Sequence, residues 1–218
     1  MEEIFMVEQV SAKSKKRAYH SPTRQRQTEE TRHKMLTASR RLFLQRGYAG
    51  TTTEAIAEEA GVSPRTVLAA FGSKRGILAE LLSLNSFGEH YQELLVQLRV
   101  EPNPFQRVKL VAQLTRQIYE TSTPEFDLLR GAGAIAPELA DFYRAVEEGR
   151  WGLQERFITF LETCGVLRPD LSHTQATDEL WALTSFDLYH RLIVERGWAT
   201  EHYETWLAQT LIQQLFQS

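Results

Sequence analysis

The sequence predicts an all-α protein of about nine helices, three forming an N-terminal head and the rest a helical body. Three observations carry this. Apolar residues recur at helical spacing in most segments, alternating strand patterns are almost absent, and Gly, Pro and Ser/Thr capping residues separate the segments. At 218 residues the chain is long enough for one large or two small domains with a well-buried core. No internal repeat is visible.

Residues 1–27 have few large apolar side chains after Val10 and many Lys, Arg, Ser and Gln, the composition of a disordered basic arm. The first helix is expected from Thr28 to Arg46, with Met35, Leu36, Ser39, Leu42 and Phe43 on one face and Gly47 as its stop. Thr51 and Glu54 stand in capping-box spacing ahead of a second helix with Ile56, Ala57 and Ala60 as its apolar stripe. Gly61 ends that helix where the chain needs a positive φ. Ser63 caps a third helix, and Pro64 takes its first position, where no amide hydrogen is missed. The small Ala57 lets the two helices approach, and Val62 and Val67 fill the angle between them, as a helix-turn-helix requires.

Gly72-Ser73-Lys74 opens a fourth helix, expected to pass through Ile77, Leu78, Leu81 and Leu82 and on past Phe87 and Tyr91, making it the element shared by head and body. Pro102 and Pro104 break the pattern after Arg99. Thr123-Pro124 begins a short segment ending at Gly131 or Gly133, and Pro137 starts a long helix to Thr163 that Gly149 and Gly152 weaken. After a loop at Gly165 and Pro169, Ser172 and Gln175 form a second capping box for a helix expected to end at Gly197. The last helix runs from about Thr200 to Phe216. The domains expected are thus the arm at 1–27, a head at 28–89 and a body at 90–218.

Net charge is near neutral, formally −3, but its distribution is uneven. Between Ser11 and Arg46 there are eleven Lys and Arg against two acids, whereas from Ala79 onward there are eleven against twenty. A basic front and an acidic rear fit a nucleic-acid-facing head joined to a body that meets something else. No run approaches the roughly 20 apolar residues of a membrane span, and the acidic start MEEIFMVEQV lacks the basic region of a secretory signal, so a cytoplasmic location is expected. The single cysteine, Cys164, excludes an internal disulfide and is expected as a small buried hydrophobe near a helix end. The six histidines show no metal-ligand spacing, and no nucleophile motif or phosphate loop is present, so neither a metal, a cofactor nor catalysis is expected.

The basic first helix, Gly47-Tyr48 with three threonines, IAEEAGVSPRTV, Phe71 and Ser73-Lys74 together resemble the DNA-binding domain of TetR/AcrR-family transcriptional regulators. The likeness is strong over about residues 29–89 and rests on helix count and lengths beyond them. It implies a homodimeric repressor, bound to a palindrome-like double-stranded operator, whose DNA affinity falls when a small molecule enters the body. It also implies that Thr52 and Thr53 begin a helix at a phosphate, that Ser63, Pro64, Arg65 and Thr66 open a recognition helix into the major groove, and that Lys74 meets the DNA backbone. Arg65 is the best base reader because its fork bonds guanine at two atoms. The family commonly has aromatic or His side chains where this chain has Leu68 and Ala70, so weaker phosphate contacts are expected there.

In the body, Phe87, Tyr91, Tyr119, Phe126, Arg130, Phe142, Trp151 and Trp181 are candidates for an apolar pocket, with polar groups such as Tyr143 to orient the effector. Most aromatics at helical spacing are nevertheless core residues. Leu180, Trp181, Thr184 and Leu188 on one helix and Trp206, Leu207, Thr210, Leu211 and Leu215 on the last form stripes suited to a dimeric four-helix bundle, or to packing within one subunit. A DNA-binding regulator or architectural factor with no small-molecule effector is the alternative, and a tightly filled body core would favour it.

Overall fold

The computed structural model of the protein describes residues 22–83, 88–132 and 137–217. Its helices are α1 (Pro22–Arg46), α2 (Thr53–Ala60), α3 (Pro64–Phe71), α4 (Lys74–Leu81), α5 (Gly88–Val100), α6 (Pro104–Ala132), α7 (Pro137–Thr163), α8 (His173–Leu183), α9 (Phe186–His190) and α10 (Thr200–Leu215), with a π-helical turn at Arg191–Glu195. Among the described residues the sole β pairing is an antiparallel bridge between Leu167 and Phe216. The all-α expectation therefore holds, with ten α-helices among the described residues against about nine expected: the expected fourth helix and the one after Ser172 are each broken, and the segment expected from Thr123 continues the helix before it.

Several boundaries depart from the sequence reading. α1 starts at Pro22 rather than Thr28, because no Gly or Pro follows Pro22 before Gly47 and Pro suits the first helical position. The end of the expected arm is thus helical, and residues 1–21 lie outside the described residues. The cap of α2 is Thr52, whose hydroxyl accepts from the Ala55 amide at 3.1 Å. Thr51 is instead fully buried and donates to the carbonyls of Leu42 (3.1 Å) and Gly47 (2.9 Å), drawn there by the open carbonyls at the end of α1.

α4 stops at Leu81, so the expected continuous helix past Phe87 to Tyr91 is not formed. Ser83, Asn85 and Ser86 are poor helix formers, and α5 begins separately at Gly88 with φ +86°. Phe87 lies outside the described residues. α6 kinks at Ser122 (φ −132°, ψ 18°), just before Pro124, whose missing amide and ring break the ladder. The capping box at Ser172–Gln175 is present, but its helix ends at Leu183, where Ser185 caps α9 by accepting from the Leu188 amide. Cys164 is exposed rather than buried, since it sits on the turn leading to Gly165 (φ +66°) beyond the end of α7.

Two principal cores result. The body core joins Val108, Ala112, Tyr119, Phe126, Ile158, Leu161, Leu180, Phe186, Tyr189, Tyr203, Leu207, Leu211 and Leu215. The head core joins Met35, Leu42, Phe43, Tyr48, Ile56, Ala57, Val67, Ile77 and Leu78, and it includes Leu129 of α6 and Leu139 of α7. Head and body are therefore sewn together through α6 and α7, not through a long α4.

The stripes expected to face a partner subunit are partly consumed. Leu180, Thr184, Leu207, Leu211 and Leu215 are buried in their own subunit, because α10 packs along α6 and α8 packs along α7. Trp206, Thr210 and Leu188 remain half-buried, and Trp181 is exposed.

Candidate nucleic-acid interface

α2 and α3 are fixed at a tight turn by local chemistry. Gly61 takes φ +68° and ψ +34°, a left-handed conformation, and the Val62 amide reaches back to the Ala57 carbonyl at 2.9 Å. Ser63 caps α3 through its hydroxyl, which accepts from the Thr66 amide at 3.1 Å and shares a hydrogen with the Thr66 hydroxyl at 2.8 Å. Val67 is buried, and Ala70 and Phe71 are half-buried, so α3 packs by that side. Pro64, Arg65, Thr66, Leu68 and Ala69 face outward. This is a short helix held by one edge and offered to solvent by the other.

The structure brings the expected contact residues Ser63, Pro64, Arg65 and Thr66 together at the start of α3. Thr52 and Thr53 stand at the start of α2, where open amides and the helix dipole favour an anion. Glu54 is beside them. Its carboxyl is held below the usual carboxylate range by a backbone amide and the Thr53 hydroxyl, so a phosphate approaching this end meets a negative charge nearby. Lys74 is placed differently from a freely extended phosphate contact. Its ammonium donates to the carbonyls of Tyr48 (2.6 Å) and Thr51 (2.9 Å) and lies 4.2 Å from the Tyr48 ring centre, pinning the α1–α2 loop to α4.

Three further arginines position the head. Arg32 donates to Glu80 (3.2 Å) and to the Ala70 carbonyl (3.0 Å) and stacks 4.5 Å from the Phe71 ring centre, tying α1 to the end of α3 and to α4. Arg40 pairs with the buried carboxylate of Glu125 at 2.5 Å and donates to the Thr121 carbonyl at 3.0 Å, gripping α6 on both sides of its Ser122 kink. Arg41 pairs with Glu59 between α1 and α2. Sequence reasoning counted these residues as basic charge. Their partners lie far along the chain, so no local signal identified them. Between α1 and α3 runs an open groove of about 650 Å³, lined by Gln27, Thr28, Thr31, Arg32, Thr66 and Ala69 among others.

The expected effector residues do not converge on one place. Tyr119 and Phe126 meet at 5.1 Å in an aromatic cluster with Phe186, Tyr189 and Tyr203, and the Tyr119 hydroxyl donates to the Thr184 carbonyl at 2.9 Å. Tyr91 belongs to a separate cluster with Leu94 and Leu114. Phe142 and Tyr143 pack against the head core. Trp151 donates to Asp178 at 3.0 Å, and Trp181 lies under the Arg150 guanidinium. Arg130 is tied to Asp127 and Asp187. Beside the aromatic cluster, Arg150 pairs with Glu147, and both Arg150 and Gln154 donate to the Thr184 hydroxyl, a polar network that sequence spacing did not reveal. Among the described residues, no group of His, Cys, Asp and Glu is arranged to hold a metal ion, and no helix is long and apolar enough to cross a membrane.

Residues 35–81 match the family model of bacterial regulatory proteins, tetR family. A curated relative, the uncharacterised HTH-type transcriptional regulator YvkB of Bacillus subtilis, is 41% identical over 56 residues, which is 26% of this chain and 30% of that protein. The aligned stretch thus spans less than a third of the relative's length. Among solved structures, the chain resembles NalD, the secondary repressor of the MexAB-OprM multidrug efflux pump in Pseudomonas aeruginosa, at TM-score 0.69 and 22% identity, covering 88% of this chain and 99% of that one. It also resembles a choline complex from Saccharomonospora viridis at TM-score 0.66 and 21% identity, covering 87% of this chain and 100% of the other. At these identities the likeness of the body is one of fold.

Proposed function

We propose that the chain, whose residues 35–81 match the family model of bacterial regulatory proteins, tetR family, is a sequence-specific DNA-binding transcriptional regulator in the cytoplasm, acting as a homodimeric repressor. The observation that carries this is the α2–Gly61–α3 unit, whose Ser63-capped helix turns Arg65 and Thr66 outward. Arg65 reads a guanine, and the α2 amides beside Thr52 and Thr53 meet a phosphate. Lys74 contributes positive potential while its hydrogens hold the loop. Selection from random duplex DNA tests the reading. A palindrome-like consensus is expected, and recovery of none sinks it.

Release by a small apolar or amphipathic effector belongs to the same proposal. The aromatic cluster of Tyr119, Phe126, Phe186, Tyr189 and Tyr203 supplies the apolar walls, and the Arg150–Glu147–Gln154 network the polar anchors. The solved relatives, one crystallised with choline and one named as an efflux-pump repressor, are in keeping with such an effector. Transmission would run through α6, which carries Tyr119 and Phe126 in the cluster, then Glu125 at Arg40 and Leu129 in the head core. By linkage, an effector that weakens operator binding itself binds the DNA-bound protein more weakly by the same factor. Equal effector affinity with and without operator would remove the switch.

One observation favours the second reading, a DNA-binding regulator without an effector. The rings of the cluster lie 5.1–5.4 Å apart, each filling the space beside the next, so the centre of the body is closely packed. Titration of the full chain with apolar and amphipathic compounds, read by tryptophan fluorescence, separates the two readings.

A further inference from the structure

Leu68 is a large apolar side chain left 47% exposed on α3. The rest of the outward edge is small or polar, with Pro64, Arg65, Thr66 and Ala69. Leu68 stands one turn after Arg65, about 4.5 Å further along the axis at the rise of an α-helix. Base pairs repeat about every 3.4 Å, so a helix that sets Arg65 on one pair brings Leu68 to the next pair or the one after. Ala69, one turn after Arg65 and next to Leu68, is exposed as well, and its single methyl lets the helix approach the floor of the groove.

Leucine has no donor or acceptor. Against a phosphate or a polar base edge it would strip water from polar atoms and return nothing. The apolar group presented in the major groove is the C5 methyl of thymine. We infer that Leu68 is a specificity-determining residue that reads thymine through this methyl, one or two pairs from the base read by Arg65. The inference rests on the reading of α3 as a major-groove helix. It gives Leu68 sequence readout in place of the phosphate contact expected of an aromatic or histidine side chain there.

The test uses the full chain and the duplex consensus it selects from random DNA, compared with copies in which single thymines are replaced by uracil, which lacks only the methyl. One thymine per half-site is expected at which uracil weakens binding about fourfold, the worth of one buried methyl group, and about fifteenfold when both half-sites are changed. Leu68→Ala should bind the thymine and uracil duplexes alike, whereas Arg65→Ala should keep the discrimination. Leu68→Gln, which adds an amide able to bond adenine at two atoms, should move the preference at that position from thymine to adenine. A wild type indifferent to every uracil, or a discrimination that survives Leu68→Ala, overturns the inference and assigns the leucine to a protein contact. Failure to select any consensus overturns the regulator reading itself, and this inference with it.

Discussion

At the scale of single residues, Arg65 and Lys74 both carry charge near the same surface but answer to different physics. Arg65 is exposed on α3, so Arg65→Ala should leave stability unchanged, cost about 1–3 kcal/mol of DNA binding and relax specificity at one base pair. Lys74 is bonded to two carbonyls, so Lys74→Ala should lower stability by about 1–2 kcal/mol as well as weaken binding to all sequences alike. Thermal melting beside binding isotherms separates the two. Tyr119 and Tyr203 are contrasting buried phenols. Burial raises both pKa values above the ordinary value. A raised folded-state pKa means that the stability they contribute is complete below the unfolded value near pH 10 and is lost as pH climbs past it. Tyr119→Phe should cost about 1 kcal/mol, because its hydroxyl bonds the Thr184 carbonyl. Tyr203→Phe should cost nothing or stabilise, because its buried hydroxyl has no partner, and it should make the alkaline loss shallower. Denaturant melts at neutral pH and near pH 11 check both.

At the scale of elements, the turn and the kink matter most. Gly61 sits in the left-handed region with open space where a Cβ would stand, so Gly61→Ala meets no clash and its cost of about 1–2 kcal/mol is purely conformational. Gly61→Asn, which tolerates this conformation better, should recover part of the loss in the same melt. The kink of α6 separates two duties of one helix. Before it, Tyr119 lies in the body core; after it, Leu129 lies in the head core, and Arg40 clasps Thr121 and Glu125 across it. Arg40→Leu should therefore destabilise by about 1–2 kcal/mol by leaving the Glu125 carboxylate buried without its cation, and adding Glu125→Leu should restore most of it. If the single and double variants melt alike, the ion pair is not what joins head to body.

At the scale of the molecule, charge distribution and association govern how the chain meets DNA. The excess of Lys and Arg before Arg46 predicts that binding falls steeply with salt, and that removing residues 1–21 flattens this slope while leaving the consensus unchanged. An unaltered slope would reduce that segment to a solubilising tail. The proposed dimer must now use what α8, α9 and α10 leave at the surface, namely Trp181, Leu188, Trp206 and Thr210. Sedimentation at micromolar concentration should show a dimer that Trp181→Glu weakens. A stable monomer would end the four-helix-bundle proposal.

Sequence alone determined the caps and turns around α2 and α3, because such signals act over a few residues. A cap needs a hydroxyl near an open amide, a turn needs a glycine at positive φ, and a helix start tolerates proline; each of these is written beside its partner in the chain. Among those caps the slip, Thr51 for Thr52, arose where a distant carbonyl competed for the hydroxyl. Tertiary structure decided the rest. Whether Leu207 or Trp181 faces the core, which carbonyls Lys74 bonds, and that α6 and α7 complete the head core all depend on residues remote in sequence. A helical stripe states that a face is apolar, but not which neighbour buries it, and packing alone settles that.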